Sequence, residues 1–153
     1  MTTQLSIHHE FAASQARVRT LLHDARCAET VARTAGALDA SASVEGDEMR
    51  ITRASEVPDI ARALVRDGQL IVTETRIWNG NVASIALTFT GLPVQASGSL
   101  ELQEQDGRCT LQLDLAISAQ MPFMSGMIES LARERLIEAM VAEFAALEAA
   151  VEA

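Results

Sequence analysis

A chain of 153 residues, 48% hydrophobic and 22% charged, has the size and balance of one globular domain. Its net charge is -9, from 21 acids against 12 bases, so it lacks the basic face that phosphate backbones and anionic lipids require. All 12 bases are arginines and tyrosine is absent, which excludes a lysine Schiff base and a tyrosine general acid. Five aromatics (Phe11, Trp78, Phe89, Phe123, Phe144) leave the core to aliphatic side chains.

The first strand alternates Leu5, Ile7, His9 and Phe11 on one side with Gln4, Ser6, His8 and Glu10 on the other. Ser14 is a predicted N-cap for a helix reaching His23 or Asp24, with Val18, Leu21 and Leu22 as its stripe. A second short helix carries Cys27, Val31 and Thr34 and stops near Gly36. Two short strands flank Gly46, with Leu38, Ala40, Ala42 and Val44 facing Met49, Ile51, Arg53 and Ser55. Pro58-Asp59 opens a helical segment of one or two turns (Ile60, Ala61, Leu64, Val65) that ends at Gly68. Residues 59–67 are a candidate lid.

From residue 69 the turns carry the register. Asn79-Gly80-Asn81 between β-rich runs predicts a hairpin. A two-residue loop puts Leu70, Val72, Glu74, Arg76 and Trp78 on the face of Ala83, Ile85, Leu87 and Phe89. A three-residue loop presents Ile71, Thr73, Thr75 and Ile77 instead. Turn frequency favours the first. Gly91-Leu92-Pro93 brings Val94, Ala96, Gly98, Leu100 and Leu102 onto the same face. Asp106-Gly107 then pairs Leu102 with Leu111, Leu100 with Leu113, Gly98 with Leu115 and Ala96 with Ile117. Three successive turns agree on one apolar face.

Pro122 ends the last strand, and 123 to about 150 read as one helix of roughly 40 Å. Its apolar residues form two stripes. Met124, Met127, Ile128 and Leu131 lie on one side; Ile137, Met140, Val141, Phe144, Leu147 and Val151 point nearly opposite, with Ala132, Leu136, Ala139 and Ala146 between them. A straight helix cannot bury both against one sheet, so it is either kinked or meets something else with one half: a second copy, the short helical segment or a ligand. The whole is expected to be a single domain, 1–153, of α+β class: a seven-stranded curved antiparallel sheet with two short helices after strand 1 and a long C-terminal helix across it.

This order is a helix-grip arrangement, and the chain resembles the START/birch-pollen-allergen-like (SRPBCC) superfamily. Within it, the chain is similar to a mainly actinobacterial domain-of-unknown-function family. The residues that carry the resemblance are His8-His9-Glu10-Phe11-Ala12-Ala13-Ser14 with Val18 and Leu22, then Glu74-Thr75-Arg76-Ile77-Trp78, and Met121-Pro122-Phe123-Met124-Ser125-Gly126-Met127-Ile128-Glu129. It covers essentially the whole chain and is weakest over 24–68. The resemblance implies a cavity between sheet and last helix for hydrophobic ligands such as lipids, sterols or polyketides, and some superfamily members are cyclases, aromatases or hydrolases.

On that architecture the residues expected to line the ligand space are Val72, Glu74, Arg76, Trp78, Ile85, Leu87, Phe89, Gly98 and Leu115 from the sheet. Met124, Ile128, Leu131 and Leu136 join them from the helix. Glu74 and Arg76 are the informative pair, because buried charges demand partners, water or a polar ligand group. Arg53, and Arg135 from the last helix, are the candidate partners. A carboxylate and guanidinium in an apolar chamber suit a carboxylate or hydroxyl on an aliphatic body; a structural ion pair is the plainer alternative. Gly98 either widens the pocket or marks a bulge. The methionines at 121, 124, 127 and 140 suit irregular ligands and also fill cores.

His8 and His9 are adjacent and face opposite sides of a strand, so surface or capping roles are expected of the histidines, and no metal site. His9, if inward beside Arg53, is a candidate proton relay. Cys27 and Cys109 have no metal-ligand spacing and are expected to be buried free thiols. No nucleophile elbow or phosphate loop occurs, and no catalytic residue or cofactor is assigned. The N-terminus lacks the pattern of a signal peptide and no apolar run approaches the roughly 18 residues of a membrane span, so a cytoplasmic protein is expected. Three functions follow: a carrier for a small hydrophobic molecule or lipid, a cofactor-free cyclase, aromatase or hydrolase using Glu74, Arg76 or His9, or an interaction module that fills its own cavity and dimerises through the last helix.

Overall fold

The computed structural model describes residues 2–57, 59, 62 and 68–152. Its elements run β1 (Thr3–Phe11), α1 (Gln15–Leu22), α2 (Ala25–Thr34), β2 (Asp39–Glu45), β3 (Glu48–Glu56), β4 (Gln69–Asn79), β5 (Val82–Phe89), β6 (Val94–Gln105), β7 (Arg108–Ala119) and α3 (Ser125–Glu152). The strands form one antiparallel sheet in the order β1-β7-β6-β5-β4-β3-β2, and α3 lies against β1, β7 and α2. This is the helix-grip α+β architecture. The helical segment expected from Pro58 to Gly68, with its lid, lies outside the described residues except at Asp59, Arg62 and Gly68.

The turn chemistry decides the register. Asn79 pairs with Val82, leaving the two-residue loop Gly80–Asn81, and Gly80 takes a φ of +64° that a side chain would resist. Glu74 therefore faces Leu87 and Arg76 faces Ile85, on the inner side. The Asp106–Gly107 loop has both φ values positive and pairs Leu102 with Leu111, Leu100 with Leu113 and Ala96 with Ile117. The inner residues of β5, β6 and β7 then form one continuous buried layer with Leu5, Ile7 and Phe11 of β1. Gly98 belongs to neither a pocket wall nor a bulge: its pairing with Leu115 is continuous, and a Cβ there would come 1.8 Å from the Asp114 carbonyl oxygen. It permits a close approach of two strands.

Two short helices seal one end of the sheet. Ser14 caps α1 by accepting from Arg17 N, and Asp24 caps α2 by accepting from Cys27 N. The last helix starts two residues later than its sequence pattern suggests. Phe123 sits at φ +70°, outside the helix and fully exposed, while the Ser125 hydroxyl donates to Met121 O at 2.5 Å.

Of the two apolar stripes of α3, the helix buries much of the second together with Leu136 and Ile128. At about 100° per residue, Ile128 and Phe144 bound an arc of about 160° centred on Leu136, Glu143 and Leu147. Ile128, Leu136, Met140, Phe144 and Leu147 are buried on this arc, and Met124, Met127 and Val141 are exposed beyond it. Glu129 staples the helix to the sheet edge. Its carboxylate accepts from Ala119 N at 3.0 Å and from the Thr3 hydroxyl at 2.9 Å, and these bonds lower its pKa.

Candidate functional site

The grip interior contains a network of four charges. β3 contributes Arg53, β4 contributes Glu74 and Arg76, and α3 contributes Glu143; all four are buried. Strand pairing sets Ile51 opposite Glu74 and Arg53 opposite Val72, so the long Arg53 side chain reaches diagonally to Glu74. Arg53 donates through Nε and Nη2 to the two oxygens of Glu143, at 2.7 and 2.8 Å, and through Nη1 to Glu74 Oε1 at 2.7 Å. Arg76 Nε donates to the other Glu74 oxygen, and its Nη1 donates to the Leu22 carbonyl at 3.1 Å. That last bond ties the C-terminal turn of α1 to the middle of the sheet. Among the described residues, Arg76 Nη2 has no acceptor.

Two guanidiniums and two carboxylates balance to zero. Burial alone would raise the Glu74 pKa; the Arg76 and Arg53 charges and hydrogen bonds outweigh it and lower the value to about 2. Burial likewise opposes the charge on Arg53, and the Glu143 and Glu74 carboxylates reverse that, raising its pKa. Glu74 and Arg53 are therefore both ionised at neutral pH.

Two small hollows adjoin the network. One, of about 20 Å³, is lined by Arg53, Arg76 and Glu143 together with Leu21, Leu22, Cys27, Ala28, Val31, Ile51, Phe144 and Leu147. The other, of about 10 Å³, is enclosed by Glu74, Arg76, Ile85, Leu87, Leu100, Leu113, Leu115, Met140 and Phe144. Each has room for roughly one water molecule. Side chains fill the rest of the interior, Phe144 and Met140 closing from the helix over Leu113 and Leu115.

Of the residues expected at the ligand space, Glu74, Arg76, Ile85, Leu87 and Leu115 meet around these hollows. Phe89, Ile128 and Leu136 are buried elsewhere in the core, and Val72 and Leu131 are half-buried. Trp78 is buried near the 80–81 hairpin, with the Arg19 guanidinium 4.0 Å above its ring. Gly98 and Met124 are exposed, and so is Arg135, which does not partner the network. Its place is taken by Glu143, which sequence reasoning missed; a carboxylate three residues after Met140 and four before Leu147 was the available signal. Pro122 and Phe123 fall outside the helix that their stretch opens.

His9 faces inward, its ring centroid 4.6 Å from Phe11 and 6.2 Å from Phe144. Its Nε2 lies 3.3 Å from Glu148 without hydrogen-bond geometry. It is not beside Arg53. Cys27 and Cys109 are free thiols, Cys109 fully buried and Cys27 half-buried, and burial raises the pKa of each. Among the described residues no three His, Cys, Asp or Glu side chains form a metal-binding group. No helix among them is long and apolar enough to cross a membrane.

The fold is similar to that of several solved proteins. TTHA0849 from Thermus thermophilus superposes with a TM-score of 0.72 at 14% identity, covering 97% of both chains. The Zhui aromatase/cyclase from a Streptomyces species gives 0.70 at 17% identity, over 99% of this chain and 94% of that one. A START superfamily protein from Mycobacterium smegmatis gives 0.63 at 16% identity over 97% of both. At such identities the likeness establishes the START-like fold alone. No curated protein matches the chain in sequence. The model of the family described as "Protein of unknown function (DUF2505)" matches residues 6–151, and the chain belongs to that family.

Proposed function

We propose that the protein binds a small, mainly apolar molecule with a polar end inside the helix grip. The observation that carries this reading is the four-charge network in an otherwise aliphatic interior. Well-packed apolar side chains in its place are commonly as stabilising or more so, so stability alone gives little reason for it. A polar ligand group gives one. The fold is shared with an aromatase/cyclase and a START superfamily protein, which is the company a ligand-binding grip keeps. Small-molecule sites occupy roughly 300–1,000 Å³, far more than the two hollows, so binding requires side chains or a helix to give way. The two free thiols suit a reducing compartment, and we assign the protein to the cytoplasm.

Catalysis finds less support. An ionised Glu74 with a pKa of about 2 and both oxygens engaged by guanidiniums is a poor proton acceptor and cannot donate at neutral pH. The filled interior favours one other reading, an interaction module that self-associates through the exposed Met124, Met127 and Val141 side of α3. Native mass spectrometry of protein purified without detergent, followed by denaturing extraction, separates the two. A stoichiometric apolar adduct on a monomer supports the binding protein; a clean mass of two chains supports the module and overturns it.

A further inference from the structure

We infer that the ligand enters between α2 and the C-terminal half of α3, and that its polar end is uncharged, a hydroxyl or carbonyl rather than a carboxylate or an ammonium. This rests on the binding reading above and adds a route and a chemical class.

The route is drawn by two neighbouring spaces. An open groove of about 250 Å³ runs between the helices, lined by Arg26, Thr30, Thr34, Ala146 and Ala150 at its outer part and by Leu21, Cys27 and Val31 at its floor. Those same three floor residues form part of the wall of the hollow that ends on Arg53, Arg76 and Glu143. One thin layer therefore separates an apolar groove open to solvent from the buried charges. Leu21 and Cys27 are only half-buried, so side-chain rotation at two positions joins the spaces. The small Ala146 and Ala150 leave the groove clear for an aliphatic body.

The head-group class follows from charge. The network is neutral as it stands, and each carboxylate already holds a guanidinium. A ligand carboxylate would add a buried negative charge next to Glu143, and an ammonium would add a positive one next to Arg53 and Arg76. Either would be left without a free counter-ion. What the network offers is the Nη2 of Arg76, an N–H group on a side chain only 5% exposed that lines the hollow. A hydroxyl or carbonyl oxygen accepts from it and brings no charge.

Cys27 reports on the route, because Cys109 is 0% exposed and the alkylation of the folded chain reads Cys27. Decan-1-ol, decanoate and decylammonium are titrated against the full chain at mildly alkaline pH, where the raised Cys27 thiol reacts. Binding is followed by calorimetry and alkylation by intact mass. Decan-1-ol is expected to protect Cys27 saturably and to bind at least about tenfold more tightly than either ion. Ala150→Trp, at the half-exposed rim, is expected to abolish both effects while leaving the unfolding transition in place. Tighter binding of decanoate or decylammonium overturns the head-group class. Decan-1-ol binding without Cys27 protection, or undiminished in Ala150→Trp, overturns the route and leaves interior binding intact. If none of the probes binds although the purified protein carries an extractable adduct, this inference fails alone; if there is neither probe binding nor adduct, the binding reading fails with it.

Discussion

Exchanging Arg53 for methionine and Glu143 for leucine, singly and together, tests whether the interior charges exist for stability. Arg53 makes three charge-assisted hydrogen bonds, two of them to Glu143. Removing Glu143 alone leaves three buried charges with a net positive one, and orphaning a partner of a buried pair costs about 3–5 kcal/mol. The new leucine recovers about 1.5–3 kcal/mol by apolar burial, so Glu143→Leu should lose about 1–3 kcal/mol. Arg53→Met leaves Glu143 with no donor and Glu74 with Arg76 alone, and should lose about 3–5 kcal/mol. The double variant retains only the neutral Glu74–Arg76 pair. Replacing a buried pair by apolar groups is neutral to about 4 kcal/mol stabilising, so the double variant should equal or exceed the parent. Urea unfolding at pH 7 reads this as midpoints at constant slope, and for a chain of this length about 1 kcal/mol moves Tm by about 2–4 °C. Additive losses, with the double variant weaker than either single one, would refute the reasoning: the network would then be a net stabiliser, and its claim on a ligand would lapse.

Further outcomes follow from single sites. The folded pKa of Glu74, about 2, lies below its usual 4.5, so its contribution is complete above pH 4.5 and is lost as pH falls toward 2. Unfolding free energy should drop by up to about 3 kcal/mol over that window, and Glu74→Gln should flatten the drop. Gly98→Ala drives a Cβ into the Asp114 carbonyl and should cost about 2–4 kcal/mol, whereas Gly126→Ala meets open space at the start of α3 and should gain about 0.5 kcal/mol; thermal melts distinguish them. Ser14→Ala removes the α1 cap and should cost about 1 kcal/mol by the same assay, with no change in probe binding.

The sheet was legible because its register rests on local chemistry. Gly80 and the Asp106–Gly107 pair accept the positive φ of tight hairpins, and one residue of slip would have turned every inner side chain outward. The face of α3 was not legible in the same way. Its buried arc runs from Ile128 of the first stripe through Leu136 to Met140, Leu147 and Phe144 of the second, while Met124, Met127 and Val141 carry a strong hydrophobic signal on the exposed side. Two apolar stripes thus pointed to a kink or a second contact, where the helix instead buries Met140, Phe144 and Leu147 of the second stripe with Leu136 and Ile128 and leaves Met124, Met127 and Val141 exposed. Glu143 was hidden because a carboxylate at the centre of a buried arc reads as a break in the pattern until Arg53 is placed across from it. Glu129 was hidden for another reason, since its partners are a backbone N–H on β7 and a hydroxyl on β1, groups whose positions only the folded chain specifies. Both carboxylates lie on the helix face that the sheet needs for closure, and both are satisfied by hydrogen bonds to it. They differ in what they leave behind when removed. Glu129 holds two neutral donors, the Ala119 N–H and the Thr3 hydroxyl. Glu143 holds a buried guanidinium, whose charge is costlier to leave unpaired than a neutral donor, and this is why the interior's chemistry, rather than its packing, turns on one residue of the last helix.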